Sequence, residues 1–294
     1  MPSSTATKSA EWSWQGQTIR YQQAGAQGPP ILCIHGFGAS SDHWRKNLPD
    51  LGQDHRVYAI DLLGFGYSAK PTPSQPLPYT FETWSRQVRD FCQDVIGEPV
   101  FMAANSIGCV VAMQAAVDDP AWVRGIVMLD CSLRLLHEGN RHLIPWHQRF
   151  SAPILQSLLG WPPFGKIFFG AIARPKVVRN LLQQAYGDSA AVTDELVDCL
   201  IGPAREPGAA DVFLAFVRYS QGPLPRDLLP RLTCPVLIAW GSADPWEPVE
   251  MGRALADSPA VEDFTVLEGV GHCPMDEAPD QVNPLIRDWV SRHT

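Results

Sequence analysis

The stretch that most constrains this chain runs Phe101-Met102-Ala103-Ala104-Asn105-Ser106-Ile107-Gly108 and continues as Cys109-Val110-Val111-Ala112-Met113. A short apolar run meets a serine set among small residues, and a helix-forming run starts at once. That is the strand–turn–helix context of a nucleophile elbow. So tight a turn needs small residues two places before and two places after the serine, and here they are Ala104 and Gly108. The Ser106 hydroxyl would then stand over the sheet edge, with the Ile107 N–H pointing where an oxyanion forms. A plain strand-to-helix turn with a capping serine would look the same locally, so the assignment needs partners elsewhere.

A serine hydroxyl is a poor nucleophile unless a base takes its proton and an acid orients that base. Downstream, Trp240-Gly241-Ser242-Ala243-Asp244 places an acid just after an apolar run, and Gly269-Val270-Gly271-His272 places a histidine just after the next one. Both loops should lie at the C-terminal edge of a parallel sheet, where open α/β sheets bind ligands. A loop aspartate alone is usually a turn former, and a lone histidine is usually structural. Together, in the order Ser, Asp, His and each following a predicted strand, they point to a triad of Ser106, His272 and Asp244. Asp130, in Leu129-Asp130-Cys131-Ser132, also ends a core run and competes for the acid's role. The second oxyanion donor should come from His35-Gly36-Phe37-Gly38, where the Phe37 N–H is the candidate beside Ile107, and His35 braces the loop.

The rest of the chain supplies the frame. Trp12 to Tyr21 alternates and turns around Gly16 like a β-hairpin. Pro30–Ile34 is a continuous apolar run, which suits a strand buried on both faces, and Arg56–Ile60, Phe101–Ala104, Gly125–Leu129, Pro235–Trp240 and Asp263–Leu267 read as further strands. Helical spacing fills Thr80 to Ile96, Ile107 to Val117 and Pro279 to Arg292. Strands alternating with helices predict an α/β fold, a mostly parallel sheet with helices on both faces. From Ser132 to about Pro230 the strand rhythm stops. The predicted organisation is therefore a flexible tail over residues 1–10, a core over 11–131 and 231–294, and an inserted helical cap over 132–230. The apolar stretch Ile154 to Phe169 lies in that cap, and Trp161, Phe164 and Phe168 there, with Trp246 beside Asp244, are candidate substrate contacts.

Composition narrows the function. A net charge of −8 without basic clusters argues against nucleic acid. The tail has no apolar core to make a secretory signal. Seven cysteines are an odd number with no C-x-x-C pair, and most sit in apolar runs, which suggests reduced, buried thiols in a cytoplasmic-type compartment. His43, His55, His137, His142 and His147 are scattered without ligand spacing, so no metal is expected. Gly64-Phe65-Gly66 lacks the third glycine of a dinucleotide loop. Triad hydrolysis needs no cofactor. The apolar density of Ile154 to Phe169 near Lys166, Arg174 and Lys176 suggests a peripheral membrane contact, although plain packing of the cap would use the same residues.

Taken together, these residues resemble the α/β-hydrolase superfamily over essentially the whole chain. That resemblance implies its eight-stranded sheet and cap. Within it the chain is most similar to the plant and cyanobacterial chlorophyll dephytylases and pheophytinases. The likeness is carried by His35-Gly36-Phe37-Gly38-Ala39-Ser40, Leu62-Leu63-Gly64-Phe65-Gly66, Asn105-Ser106-Ile107-Gly108, Gly222-Pro223-Leu224-Pro225, Trp240 to Pro248, Gly271-His272-Cys273-Pro274 and Asp276-Glu277-Ala278-Pro279. It implies a serine hydrolase acting on an apolar ester, the phytyl ester of a chlorophyll-type tetrapyrrole, in the cytoplasm or at a photosynthetic membrane. Ala104 and Cys109 replace two glycines usual in that group. Haloalkane dehalogenases and epoxide hydrolases share the general likeness but place aspartate where Ser106 stands. Asn-Ser-x-Gly also occurs in hydrolases of carbon–carbon bonds in ring-fission products, whose aromatic residues after the histidine look unlike Cys273-Pro274-Met275. A general carboxylesterase, or a binding protein that has lost catalysis, completes the alternatives.

Overall fold

A computed structural model describes residues 5–73, 76–135, 137–143 and 161–294. Eight strands form one sheet in the order β1-β2-β4-β3-β5-β6-β7-β8. They are β1 (Lys8–Trp14), β2 (Gln17–Ala24), β3 (Pro30–Ile34), β4 (Arg56–Ile60), β5 (Val100–Asn105), β6 (Val123–Leu129), β7 (Val236–Gly241) and β8 (Val261–Leu267). The hairpin β1–β2 and the β2–β4 pair are antiparallel, and every other pair is parallel.

Strand periodicity explains why the central strands are apolar throughout. In β3, Leu32 and Ile34 face one hydrophobic cluster while Ile31 and Cys33 face the other. The same split separates Met102 and Ala104 from Phe101 and Ala103 in β5, and Ile238 and Trp240 from Leu237 and Ala239 in β7. Both faces must therefore be covered, and helices cover them. On one side lie α2 (Phe81–Phe91) and α3 (Ile107–Asp118), with Phe81, Trp84, Val88 and Val110 buried; on the other lie α1 (Leu48–Leu51) and the closing helix α11 (Pro279–Arg292), with Val282, Ile286 and Trp289 buried. The Thr80 side chain caps α2 by accepting from the Thr83 N–H.

The insertion contributes α4 (Pro162–Ile172), α5 (Pro175–Ala185), α6 (Asp194–Ala204) and α7 (Ala209–Arg218), and no strand among the described residues. Leu182, Ala185, Val192, Leu196 and Ile201 join the second core cluster, so the cap packs on the core rather than standing clear of it. Short helices α8 (Pro225–Leu228), α9 (Val249–Gly252) and α10 (Pro274–Glu277) complete the set.

One expected boundary moves. The first strand begins at Lys8, because Lys8 to Ala10 pair with Gln23 to Tyr21 of β2 and are not part of a tail. At the other end of the insertion, Leu228 and Leu229 pack into the first core cluster, as Val212 of α7 does. Residues Ile154 to Gly160 of the apolar stretch lie outside the described residues. All seven cysteines are free, and all but Cys199 are buried.

Candidate active site

Four loops at the C-terminal ends of β3, β5, β7 and β8 build the site. Between β5 and α3, Ser106 adopts φ 55° and ψ −121°, a left-handed conformation that a non-glycine residue holds only when its surroundings impose it. The imposing contacts are visible: the Ser106 N–H donates to Leu129 O at 3.1 Å, and the Cys109 N–H donates to Ser106 O at 3.1 Å. Gly108 has no room for a side chain, because a Cβ there would sit 2.6 Å from Ile34 O and 2.7 Å from His35 O. Cys109 is buried, and its Sγ lies 3.1 Å from Ala104 O.

The strands bring the three predicted partners together. His272 Nε2 lies 3.0 Å from Ser106 Oγ, and His272 Nδ1 lies 2.7 Å from Asp244 Oδ2. Asp244 Oδ1 accepts from the N–H groups of Trp246 and Glu247 at 2.9 and 3.1 Å, so its carboxylate is fixed by its own loop. Ser106, Asp244 and His272 are all buried, which removes the water that would weaken these contacts. Asn105 holds the arrangement from below. Its amide donates to Leu129 O at 3.1 Å and to His272 O at 2.9 Å, tying the elbow to the histidine loop.

Asp130, the competing acid, ends β6 beside these groups. A carboxylate oxygen lies within 4.8 Å of the ligating atoms of Asp244 and His272, and among the described residues its one donor is the Gly241 N–H at 2.9 Å. Burial and the Asp244 charge push its pKa well up. Glu247 is also buried against the site. Its Oε1 accepts from Ser132 Oγ at 3.1 Å, and burial raises its pKa to about 8.

Phe37 and Ile107 line the same cavity as Ser106. Among the described residues neither backbone N–H donates a hydrogen bond, which leaves both available to a developing negative oxygen. His35 sits beneath Phe37, fully buried. Its Nδ1 donates to Gly36 O at 2.7 Å, and its Nε2 accepts from the Leu62 N–H at 3.1 Å, a neutral brace whose pKa burial lowers. His43 is another buried imidazole, 3.0 Å from Tyr186 Oη, and burial lowers its pKa to about 4. Tyr186 donates onward to Asp276 at 2.9 Å and the His272 N–H donates to Ala185 O at 2.8 Å, so the end of α5 is bonded to the catalytic-loop region.

A cavity of about 940 Å³ opens onto Ser106 and His272. Its walls are largely apolar and come mostly from the cap: Phe169, Ile172, Val178, Leu181, Leu182, Leu200, Phe213 and Phe216. Of the four candidate substrate contacts, Trp246 lines the cavity and packs its ring edge-on to His272 at 5.1 Å. Trp161, Phe164 and Phe168 do not line it. The end of α4 supplies the lining residues Phe169, Ile172 and Ala173, whereas Trp161, which precedes α4, and Phe164 in its first turn are exposed. Phe168 instead lies against Phe213, 6.4 Å between ring centroids.

Residues 31–285 match the alpha/beta hydrolase family. The chain belongs to that family. It is 27% identical to the chloroplastic pheophytinase of Arabidopsis thaliana over 92% of its length, and spans 64% of that relative. It is 24% identical to the 2-hydroxy-6-oxo-6-(2'-aminophenyl)hexa-2,4-dienoic acid hydrolase of Metapseudomonas resinovorans, covering 94% of this chain and 89% of the relative. Among solved structures, a serine hydrolase involved in carbazole degradation superposes with TM-score 0.77 at 20% identity, covering 97% of this chain and 99% of its own. At that identity the superposition speaks for the fold.

Proposed function

We propose that this hydrolase-family chain is a serine ester hydrolase acting on the ester of a long apolar alcohol, the phytyl ester of chlorophyll or pheophytin, through an acyl-enzyme. In this reading Ser106 Oγ attacks the ester carbonyl while His272 Nε2 takes its proton. Asp244 holds the imidazole in the required tautomer and stabilises the imidazolium. The N–H groups of Phe37 and Ile107 receive the oxyanion. His272 then gives its proton to the departing alcohol, and water, activated by the same imidazole, releases the acid.

The observation that carries the proposal is the apolar cavity reaching Ser106 and His272. Its 940 Å³ stands at the upper end of the roughly 300–1,000 Å³ usual for ligand sites. Walls of Leu, Ile, Val and Phe favour a long hydrocarbon by about 0.8 kcal/mol per buried CH₂. The likeness to a pheophytinase supports the phytyl group in particular. A membrane surface would be the natural source of such a substrate, and the outward-facing Trp161, Phe164 and Ile167 of the cap support peripheral contact. Among the described residues no helix is long and apolar enough to cross a membrane.

Pure protein incubated with chlorophyll a, pheophytin a and a long-chain p-nitrophenyl ester tests the reading by chromatography of the pigments. Dephytylated pigment is the expected product. Cleavage of the simple ester alone would leave a general carboxylesterase. The likeness to the Metapseudomonas enzyme favours a second reading, carbon–carbon bond hydrolysis of a ring-fission product, which turnover of such a dienoate without ester cleavage would establish. Absence of turnover on all of these would favour a binding protein.

A further inference from the structure

We propose that Asp130 is a positioning residue: it carries a proton and donates it in a hydrogen bond to Asp244, holding that carboxylate against His272. The inference rests on the serine hydrolase reading for its consequence in catalysis, and on geometry for the proton.

Three acids crowd one base. Asp130 ends β6 and is fully buried, Asp244 and Glu247 follow β7, and the one ion pair any of them makes among the described residues is that of Asp244 with His272. The other ionisable groups facing Asp130 are the thiols of Cys109 on α3, Cys131 on its own loop and Cys273 after the histidine, none of them a cation. Two carboxylates this close and this dry cannot both hold a charge. Hydrogen bonds decide which one does. Among the described residues Asp244 accepts from two backbone N–H groups and from His272, whereas Asp130 accepts from Gly241 alone. The charge therefore settles on Asp244 and the proton on Asp130. Asp130 Oδ2 is buried and has no hydrogen-bond partner among the described residues, and a proton on it would give it a donor's role toward Asp244.

The backbone places Asp130 for this task. Its N–H donates to Ala239 O at 3.1 Å, and its φ of 43° turns the chain out of β6 at the point where β7 delivers the acid loop. A neutral donor there draws charge from the far side of Asp244 and fixes the plane of the carboxylate. Both effects reach Ser106 through His272.

The test compares wild type with Asp130→Asn and Asp130→Ala, using a p-nitrophenyl ester across pH and infrared spectra at neutral pH. Asparagine keeps a donor at the same place without a titratable proton. Alanine should lower kcat by roughly 10- to 100-fold, the usual loss for a hydrogen bond to a charged group. It should also move the acid limb of the kcat/KM profile to higher pH, because the unshared charge on Asp244 favours the imidazolium. Asparagine should recover kcat to within about threefold of wild type and return the limb to its place. The carbonyl stretch of a buried neutral acid should weaken in Asp130→Asn, with Glu247→Gln identifying the second such band. Asparagine as damaging as Asp244→Asn would make Asp130 the charged acid and overturn the proposal. Profiles unchanged in both variants would reduce Asp130 to packing, and activity lost to a chelator would put a cation where the proton is proposed. If wild type neither hydrolyses esters nor takes a phosphonate label, the serine hydrolase reading fails, while the infrared band still decides where the proton lies.

Discussion

Glu247→Gln should make the protein more stable at neutral pH, by an amount that depends on pH in a calculable way. Glu247 is 8% exposed and its pKa stands near 8, raised from 4.5 mainly by burial, with Ser132 as its side-chain partner. A group whose folded pKa is raised contributes fully below its unfolded pKa, and that contribution is lost as pH rises through the folded value. Between pH 4.5 and 8 the folded chain keeps a proton that the unfolded chain has released, so stability falls as pH rises. At pH 7 the two states differ over about 2.5 units, which at about 1.36 kcal/mol per unit is about 3 kcal/mol. Glutamine retains an oxygen for Ser132 Oγ–H and presents N–H where the neutral acid presents O–H, so the local contacts largely cancel. Other titrating groups, His43 among them, are common to both proteins and drop out of the difference. Urea unfolding of the pair at pH 5, 7 and 8.5 reads the gain directly. It should be under about 1 kcal/mol at pH 5, about 3 at pH 7, and larger still at pH 8.5. A gain that stays flat across that range would mean Glu247 is already ionised in the fold, and the burial argument would fail.

Ser106→Ala should lower kcat by roughly 10³-fold or more while leaving the unfolding midpoint near wild type, and an organophosphonate probe labelling both proteins equally would remove Ser106 as nucleophile. Asn105→Ala strips a donor from two carbonyls, those of Leu129 and His272; it should cost about 1–3 kcal/mol of stability and lower kcat more than it changes KM, read by thermal unfolding beside steady-state kinetics. Gly108→Ala sets a methyl 2.6 Å from Ile34 O, so the elbow must shift, and the rate of phosphonate labelling should fall even where circular dichroism is unchanged. Flotation with liposomes tests the membrane contact: co-migration at low salt should weaken when Trp161 and Ile167 are both replaced by serine, and no co-migration at all removes the idea.

Much of the core can be read from period alone. Runs such as Ile31-Leu32-Cys33-Ile34 have no polar position to spare, which is what a strand between two helical layers requires, and both clusters draw on them. The closing helix is expected over Pro279 to Arg292 and occupies that span. Lys8 to Ala10 look like a tail because their composition is polar; an edge strand facing water needs nothing else, and the register with β2 supplies the structure. Gly222-Pro223-Leu224-Pro225 reads as loop and hides the short α8, whose Leu228 packs into the core.

The site separates in the same physical way. Ser106, Asp244 and His272 are legible because each follows a strand of a parallel sheet by a few residues, and the loops after those strands gather at one edge. Cap residues have no such constraint. Whether Phe168 or Phe169 faces the cavity depends on the rotation of α4 about its axis, and one residue along a helix turns a side chain by about 100°. In the run from Phe164 to Ile172, Lys166 is the one charged residue, too little of a polar face to fix that rotation. Asp130 is ambiguous for a different reason. Its position after β6 fits an acid, and position alone cannot say which of two neighbouring carboxylates holds the charge. The donors each one meets decide it, two backbone N–H groups and an imidazole at Asp244 against one N–H at Asp130. The two backbone donors belong to the loop Asp244-Pro245-Trp246-Glu247, which folds back on its own first residue. The acid is therefore marked by the three residues after it in the chain as much as by the strand before it.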